Sequence, residues 1–132
     1  MLWLRKSKKG FTLIELMVVV AIIGVLALLG LRLYTGQQEK AKNAVVKANA
    51  GTVQTLIQAE LADDPGLTET EAVTLGANTG LQNPYDPDGT TVQASGVDDA
   101  EGVVEVSLSD SVFTITGLGN GSAIVITLTA RP

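Results

Sequence analysis

An unbroken apolar run from residue 11 to residue 31 constrains this chain more than any other feature in it. Thr12 and Glu15 are its only polar side chains. Roughly 21 residues at about 1.5 Å rise each span the ~30 Å hydrocarbon core of a bilayer, so the run predicts a transmembrane helix. Before it stand Arg5, Lys6, Lys8 and Lys9 with no acid among them, an asymmetry that holds the N-terminal side on the cytoplasmic face. A secretory signal peptide shares the basic-then-apolar layout. Two features argue against one: the run is too long, and no small-x-small cleavage site follows it. Glu15 is the anomaly. A carboxylate one turn inside lipid is costly unless paired or protonated, which marks it as functional.

The junction Lys9-Gly10-Phe11-Thr12-Leu13-Ile14-Glu15 and its continuation, KGFTLIELMVVVAIIGVLALL, resemble the N-terminus of bacterial type IV pilins and type II secretion pseudopilins. That resemblance covers about residues 9–34. It implies a leader, residues 1–10, cut after Gly10 by a prepilin peptidase that also methylates the new N-terminal Phe11. Glu15 would then be the fifth residue of the mature chain. One departure is the lack of a proline near the end of the run, where Gly30-Leu31-Arg32 stands instead. A kink is therefore not dictated, and Gly24 and Gly30 are the weak points, at about 1 kcal/mol each relative to alanine.

The 132 residues suffice for one modest soluble domain. There is no cysteine and no histidine, which excludes thiolate chemistry, imidazole bases and the ordinary zinc ligands together. An enzyme would have only carboxylates, hydroxyls and lysine to work with. Lacking cysteine, the chain also cannot use the disulfide that many pilins place in their C-terminal part, so sheet hydrogen bonds, a bound cation or neighbouring subunits must hold that region. The formal charge is −5, from nine basic and fourteen acidic residues. Loss of the four basic leader residues leaves five against fourteen, near −9. From Asp63 onward Arg131 is the only basic residue. Such a surface repels phosphate backbones, and direct nucleic-acid binding is not expected.

Residues 32–62 read as a continuation of the same helix, rich in Ala, Lys, Gln and Glu. At 100° per residue Val46, Ala50, Val53, Ile57 and Leu61 share one side. A second, milder strip of Tyr34, Ala41, Val45, Ala48 and Leu56 lies beside it. Either the first strip serves the protein's own sheet and the second other subunits, or both form one wide buried face. Asp63-Asp64-Pro65-Gly66 should end the helix. Residues 63–102 read as a connecting region, with Thr68-x-x-Glu71 as a capping box for a short helix through Leu75. Within it, Asn83-Pro84-Tyr85-Asp86-Pro87-Asp88-Gly89 has some of the oxygen pattern of a calcium loop, with Asp86 and Asp88 as candidate ligands. The EF-hand spacing is not met, and tight turns with solvated carboxylates are the simpler reading.

Residues 103–132 read as β structure. Val104, Val106 and Leu108 alternate with polar residues, Phe113 and Ile115 share a side, and so do Ile124, Ile126 and Leu128. Three antiparallel strands are expected, packed on the helix strip that begins at Val46. Gly117-x-Gly119-x-Gly121 has part of a nucleotide-binding pattern but lies between two strands, so it reads as a hairpin loop. Asn120-Gly121-Ser122 matches a glycosylation sequon by chance.

The expected fold is α+β: a long N-terminal helix, membrane-embedded in its first half, on a small antiparallel sheet of three to four strands. The expected function is structural and not enzymatic, a major pilin that polymerises into a type IV pilus for adhesion, twitching motility or DNA uptake. The alternatives are a major pseudopilin of a secretion system and a membrane-tethered binding domain. No cofactor is expected, with calcium the one exception to consider. By resemblance, the partners are other copies of the chain in a helical filament, the peptidase, an assembly platform and minor pilins. The precursor would sit in the inner membrane with its N-terminus cytoplasmic, and the assembled fibre would be extracellular, or periplasmic for a pseudopilus.

Overall fold

The computed structural model describes residues 10–96 and 101–132. The basic leader residues Arg5, Lys6, Lys8 and Lys9, and residues 97–100 of the expected connecting region, lie outside the described residues. The chain divides into two compact units, Met1–Gln37 and Gln38–Pro132.

One helix, α1, runs over Leu13–Asp63 and passes through Gly24 and Gly30 as helix. In the first unit its side chains are exposed throughout, from Leu13 at 75 % to Leu33 at 72 %. In the second unit the predicted strip is buried: Val46, Ala50, Val53, Ile57 and Leu61, joined by Asn49. The second strip behaves differently. Ala41, Val45 and Ala48 are exposed and Leu56 is half-buried, so the domain's own core uses the first strip only. Tyr34, in the first unit, is exposed as well.

Helix α1 stops where the sequence breaks it. Residue 64 precedes a proline and is disfavoured in helix, and its carboxylate turns back to accept the Gly66 N–H at 2.8 Å, an Asx-turn. A second helix, α2, spans Glu69–Ala77 and starts on the predicted capping box, Thr68 and Glu71 satisfying each other's backbone N–H.

The sheet has four strands in the order β1 (Val92–Ala94), β2 (Val104–Ser109), β3 (Val112–Leu118), β4 (Ile124–Ala130). The last three are antiparallel, as expected. The first is not: β1 pairs with β2 in parallel, Val92 opposite Val104. The sheet is therefore mixed, and residues 63–102 contribute a strand as well as the short helix that was expected there. Three residues carry too little alternation to be read as a strand. What makes them one is the N–H and C=O row that β2 presents.

Val104, Val106, Phe113, Ile115 and Ala130 of the sheet form one buried cluster with Ala50, Val53, Ile57 and Leu61 of α1, extended by Leu67, Ala72 and Val92. Val106 faces Ile115 and Leu108 faces Phe113 across the β2–β3 pair. Ile124 departs from expectation. It is 69 % exposed, because the β3–β4 register shifts between Gly117, opposite Ile126, and Leu118, opposite Ile124, and a bulge between Ile124 and Ile126 puts them on opposite faces. Ile126 and Leu128, beyond the bulge, pack against the core.

The glycine-rich segment is a contact surface with α1. A Cβ on Gly117 would come within 2.9 Å of both Val46 and Ile126, and one on Gly119 within 2.5 Å of the Asn43 side chain. Close approach of helix and sheet, not a nucleotide, explains these two positions.

Candidate processing and assembly site

Gly10 precedes the helix as an exposed residue with no regular structure, and Phe11 is 92 % exposed. A peptide bond between them is thus held neither by helix hydrogen bonds nor by packing. Thr12 then starts the helix. Its Oγ1 accepts the Glu15 N–H at 3.2 Å, and the Glu15 carboxylate accepts the Thr12 N–H at 3.0 Å. This is a capping box, with Thr12 as the cap and Glu15 three residues on. It places the Glu15 carboxylate back over the helix start, on the side from which Phe11 enters, where the dipole also favours an anion.

Sequence reasoning found Glu15 but missed its partner. The signal was available, because Thr12-x-x-Glu15 has the same pattern that identified Thr68-x-x-Glu71. The hydrophobic context directed the reading of residue 12 toward membrane burial and away from capping.

Beyond the first turn α1 offers an apolar surface: Ile14, Leu16, Met17, Val18, Val19, Ile22, Ile23 and Leu26 are each more than half exposed. It is long and apolar enough to cross a membrane. Large exposed apolar surface in a folded chain is a contact surface for lipid or for protein.

The loop that carries the candidate ligands Asp86 and Asp88 turns about one buried side chain. Its centre is Asn83, 3 % exposed, whose Oδ1 accepts from the N–H groups of Tyr85 and Asp86 while its amide donates to the carbonyls of Thr90 and Glu101. Asp86 and Asp88 are exposed. The Asp86 carboxylate accepts the Asp88 N–H at 3.3 Å within its own turn. Among the described residues no three carboxylates converge as metal ligands. Tyr85 ties this loop to α1, its hydroxyl donating to Asn43 Oδ1 at 2.8 Å with the Lys42 ammonium 4.8 Å from the ring centroid. Burial first, then the carboxylates of Glu39 and Glu101, raise the Tyr85 hydroxyl above its usual range.

Residues 5–31 match the family described as the prokaryotic N-terminal methylation motif. A type IV major fimbrial protein FimA of Dichelobacter nodosus is 30 % identical over 92 % of this chain and 88 % of its own length. A fimbrial protein of Pseudomonas aeruginosa is 34 % identical over 96 % of this chain and 81 % of its own. The type IV major alpha-pilin of Moraxella bovis is 40 % identical over 57 % of this chain, and there the match spans 48 % of the relative's length. Against a fimbrial protein of Eikenella corrodens the match spans 35 % of the relative. No solved structure matched the chain. A prepilin methylation motif at the N-terminus, a long helix on a small sheet, and near full-length similarity to fimbrial subunits together place the chain in the type IV pilin family.

Proposed function

We propose that this protein is the major structural subunit of a type IV pilus. The observation that carries the reading is the start of α1, capped by Thr12: apolar as far as Leu31 except for Glu15, exposed throughout its first unit, with Glu15 the one acid held at its start. The precursor is cut between Gly10 and Phe11 by a prepilin peptidase, and Phe11 is methylated. It waits in the inner membrane, N-terminus on the cytoplasmic side, and enters an extracellular fibre through an assembly platform, with minor pilins as further partners. Adhesion, motility and DNA uptake are roles of the assembled fibre. The activity is polymerisation, without catalysis and without a resident cofactor.

Cleavage frees a positive amine at Phe11, one residue before the cap that holds the Glu15 carboxylate. In a low-dielectric setting these two charges neutralise each other, within one chain or between an incoming subunit and its neighbour. An intersubunit pair gives register to apolar helices that would otherwise slide. Leaving either charge buried alone costs about 3–5 kcal/mol per contact. The test is a strain expressing only Glu15→Ala: precursor cut at Gly10, methylated Phe11 detected by mass spectrometry, and few or no fibres. Normal fibre yield from that strain would overturn this account of assembly.

A further inference from the structure

Two stretches of backbone with no strand beside them, the end of β2 and the end of β4, are met by helical side chains. Strand β1 ends at Ala94, and the Ser95 N–H makes the last bond to that side of β2, at the Val106 carbonyl. The next group on that side is the Leu108 N–H, and the Glu69 carboxylate of α2 accepts it at 2.9 Å. At the opposite edge, Gln54 of α1 donates to the Thr129 carbonyl at 2.8 Å. Gln58 donates to the Arg131 carbonyl at 2.6 Å and accepts the Arg131 N–H at 3.3 Å.

The match at β4 is geometric. Residues two apart on a strand turn their backbone groups to the same side and repeat about every 6.6 Å. Residues four apart on a helix repeat about every 6 Å. Glutamines at 54 and 58 therefore run in step with Thr129 and Arg131, and the Gln58 amide, donor and acceptor at once, makes the pair of bonds an adjacent strand would make. An open edge is a template for another chain's strand.

We infer that Gln54, Gln58 and Glu69 are edge guards that keep the sheet from pairing strand-to-strand with a second copy of this chain, leaving association to α1. The inference goes beyond the filament reading and does not depend on it.

The test uses the full uncut chain in detergent. Gln54→Leu/Gln58→Leu is compared with wild type and with an Ile57→Val variant, all three read at temperatures giving the same folded fraction. The expected result is self-association of the double variant at roughly tenfold lower protein concentration than wild type, with an intermolecular β-sheet infrared band. Thr127→Lys, which charges the next edge-facing position, should reverse it. A double variant that stays as monodisperse as wild type overturns the inference. So does equal association of the Ile57→Val control, which would assign the effect to lost stability, or association that Thr127→Lys leaves unchanged.

Discussion

Gln58 and Arg131, 73 positions apart in sequence, hold each other by a two-way hydrogen bond, side-chain amide to backbone, at 2.6 and 3.3 Å. With Gln54 on the Thr129 carbonyl, this ties the last strand, already paired with β3, to α1 in a chain without cysteine. Each such bond at a partly wet edge contributes about 0.5–1.5 kcal/mol. Gln58→Ala should lower the unfolding free energy by about 1–2 kcal/mol, read from urea denaturation, with the loss of protection appearing first at the Arg131 amide in hydrogen exchange. An unchanged midpoint would mean the C-terminal end is held by β3 alone.

Ile57 has no exposed surface and lies in the cluster that joins α1 to Phe113 and Ile115. Ile57→Ala leaves a cavity with the sheet on its far side and should cost about 2–5 kcal/mol. Thermal unfolding of a soluble fragment from Gln38 onward measures it. Val45→Ala, on the exposed strip, should change the same midpoint by well under 1 kcal/mol, and a large loss there would contradict the division between the two strips.

The β2–β3 hairpin turns through Asp110 and Ser111 with φ of 51° and 64°. The type I′ two-residue turn requires the left-handed region at both positions and favours Asn-Gly or Asp-Gly. Serine at the second position is strained, by about 1 kcal/mol. Ser111→Gly should relieve that strain, offset in part by the unfolded-state entropy of glycine, for a net gain of about 0.5 kcal/mol or more. A fall in melting temperature would count against this reading of the turn.

Hydrogen bonds from the Thr68 hydroxyl and then its backbone N–H hold the Glu71 carboxyl below its usual range. A depressed folded-state pKa means the unfolded chain takes up the proton first as pH falls. The contribution of the capping box is complete well above the ordinary glutamate value of roughly 4.3 and is lost on descending through the folded-state value. Glu71→Gln should therefore flatten the acid limb of the stability profile, while Thr68→Val, which loses the hydroxyl's bonds but keeps the backbone N–H donor, should reduce the pH dependence without abolishing it. Superimposable acid limbs for wild type and Glu71→Gln would remove Glu71 from that role.

For processing, Gly10→Val should leave uncut precursor in the membrane, since a side chain at the exposed residue before Phe11 hinders close approach of a peptidase to the backbone. Normal cleavage and piliation of that variant, followed by immunoblot for the size shift, would move the cut site elsewhere.

Much of this architecture follows from local pattern. The membrane-length run, the helix break before Pro65, the capping box at Thr68 and the alternation over β2 and β3 depend on neighbours in sequence, so the residues alone determined them. The proposed roles of Gly10, Phe11 and Glu15 rest on an equally local pattern, and the Thr12-x-x-Glu15 spacing of the first cap is local too. Other features were decided only by the folded chain. Strand β1 exists because β2 offers it a parallel edge. Ile124 faces out because a bulge at Gly117 and Leu118 shifts its register. Asn83 is a hub because the carbonyls of Thr90 and Glu101 are brought to it, and Gln54 and Gln58 guard an edge because a helix repeat of four residues nearly equals a strand repeat of two. Each of these depends on groups outside one another's turn or strand, and a hydrogen bond between separate segments leaves no period in the sequence to read.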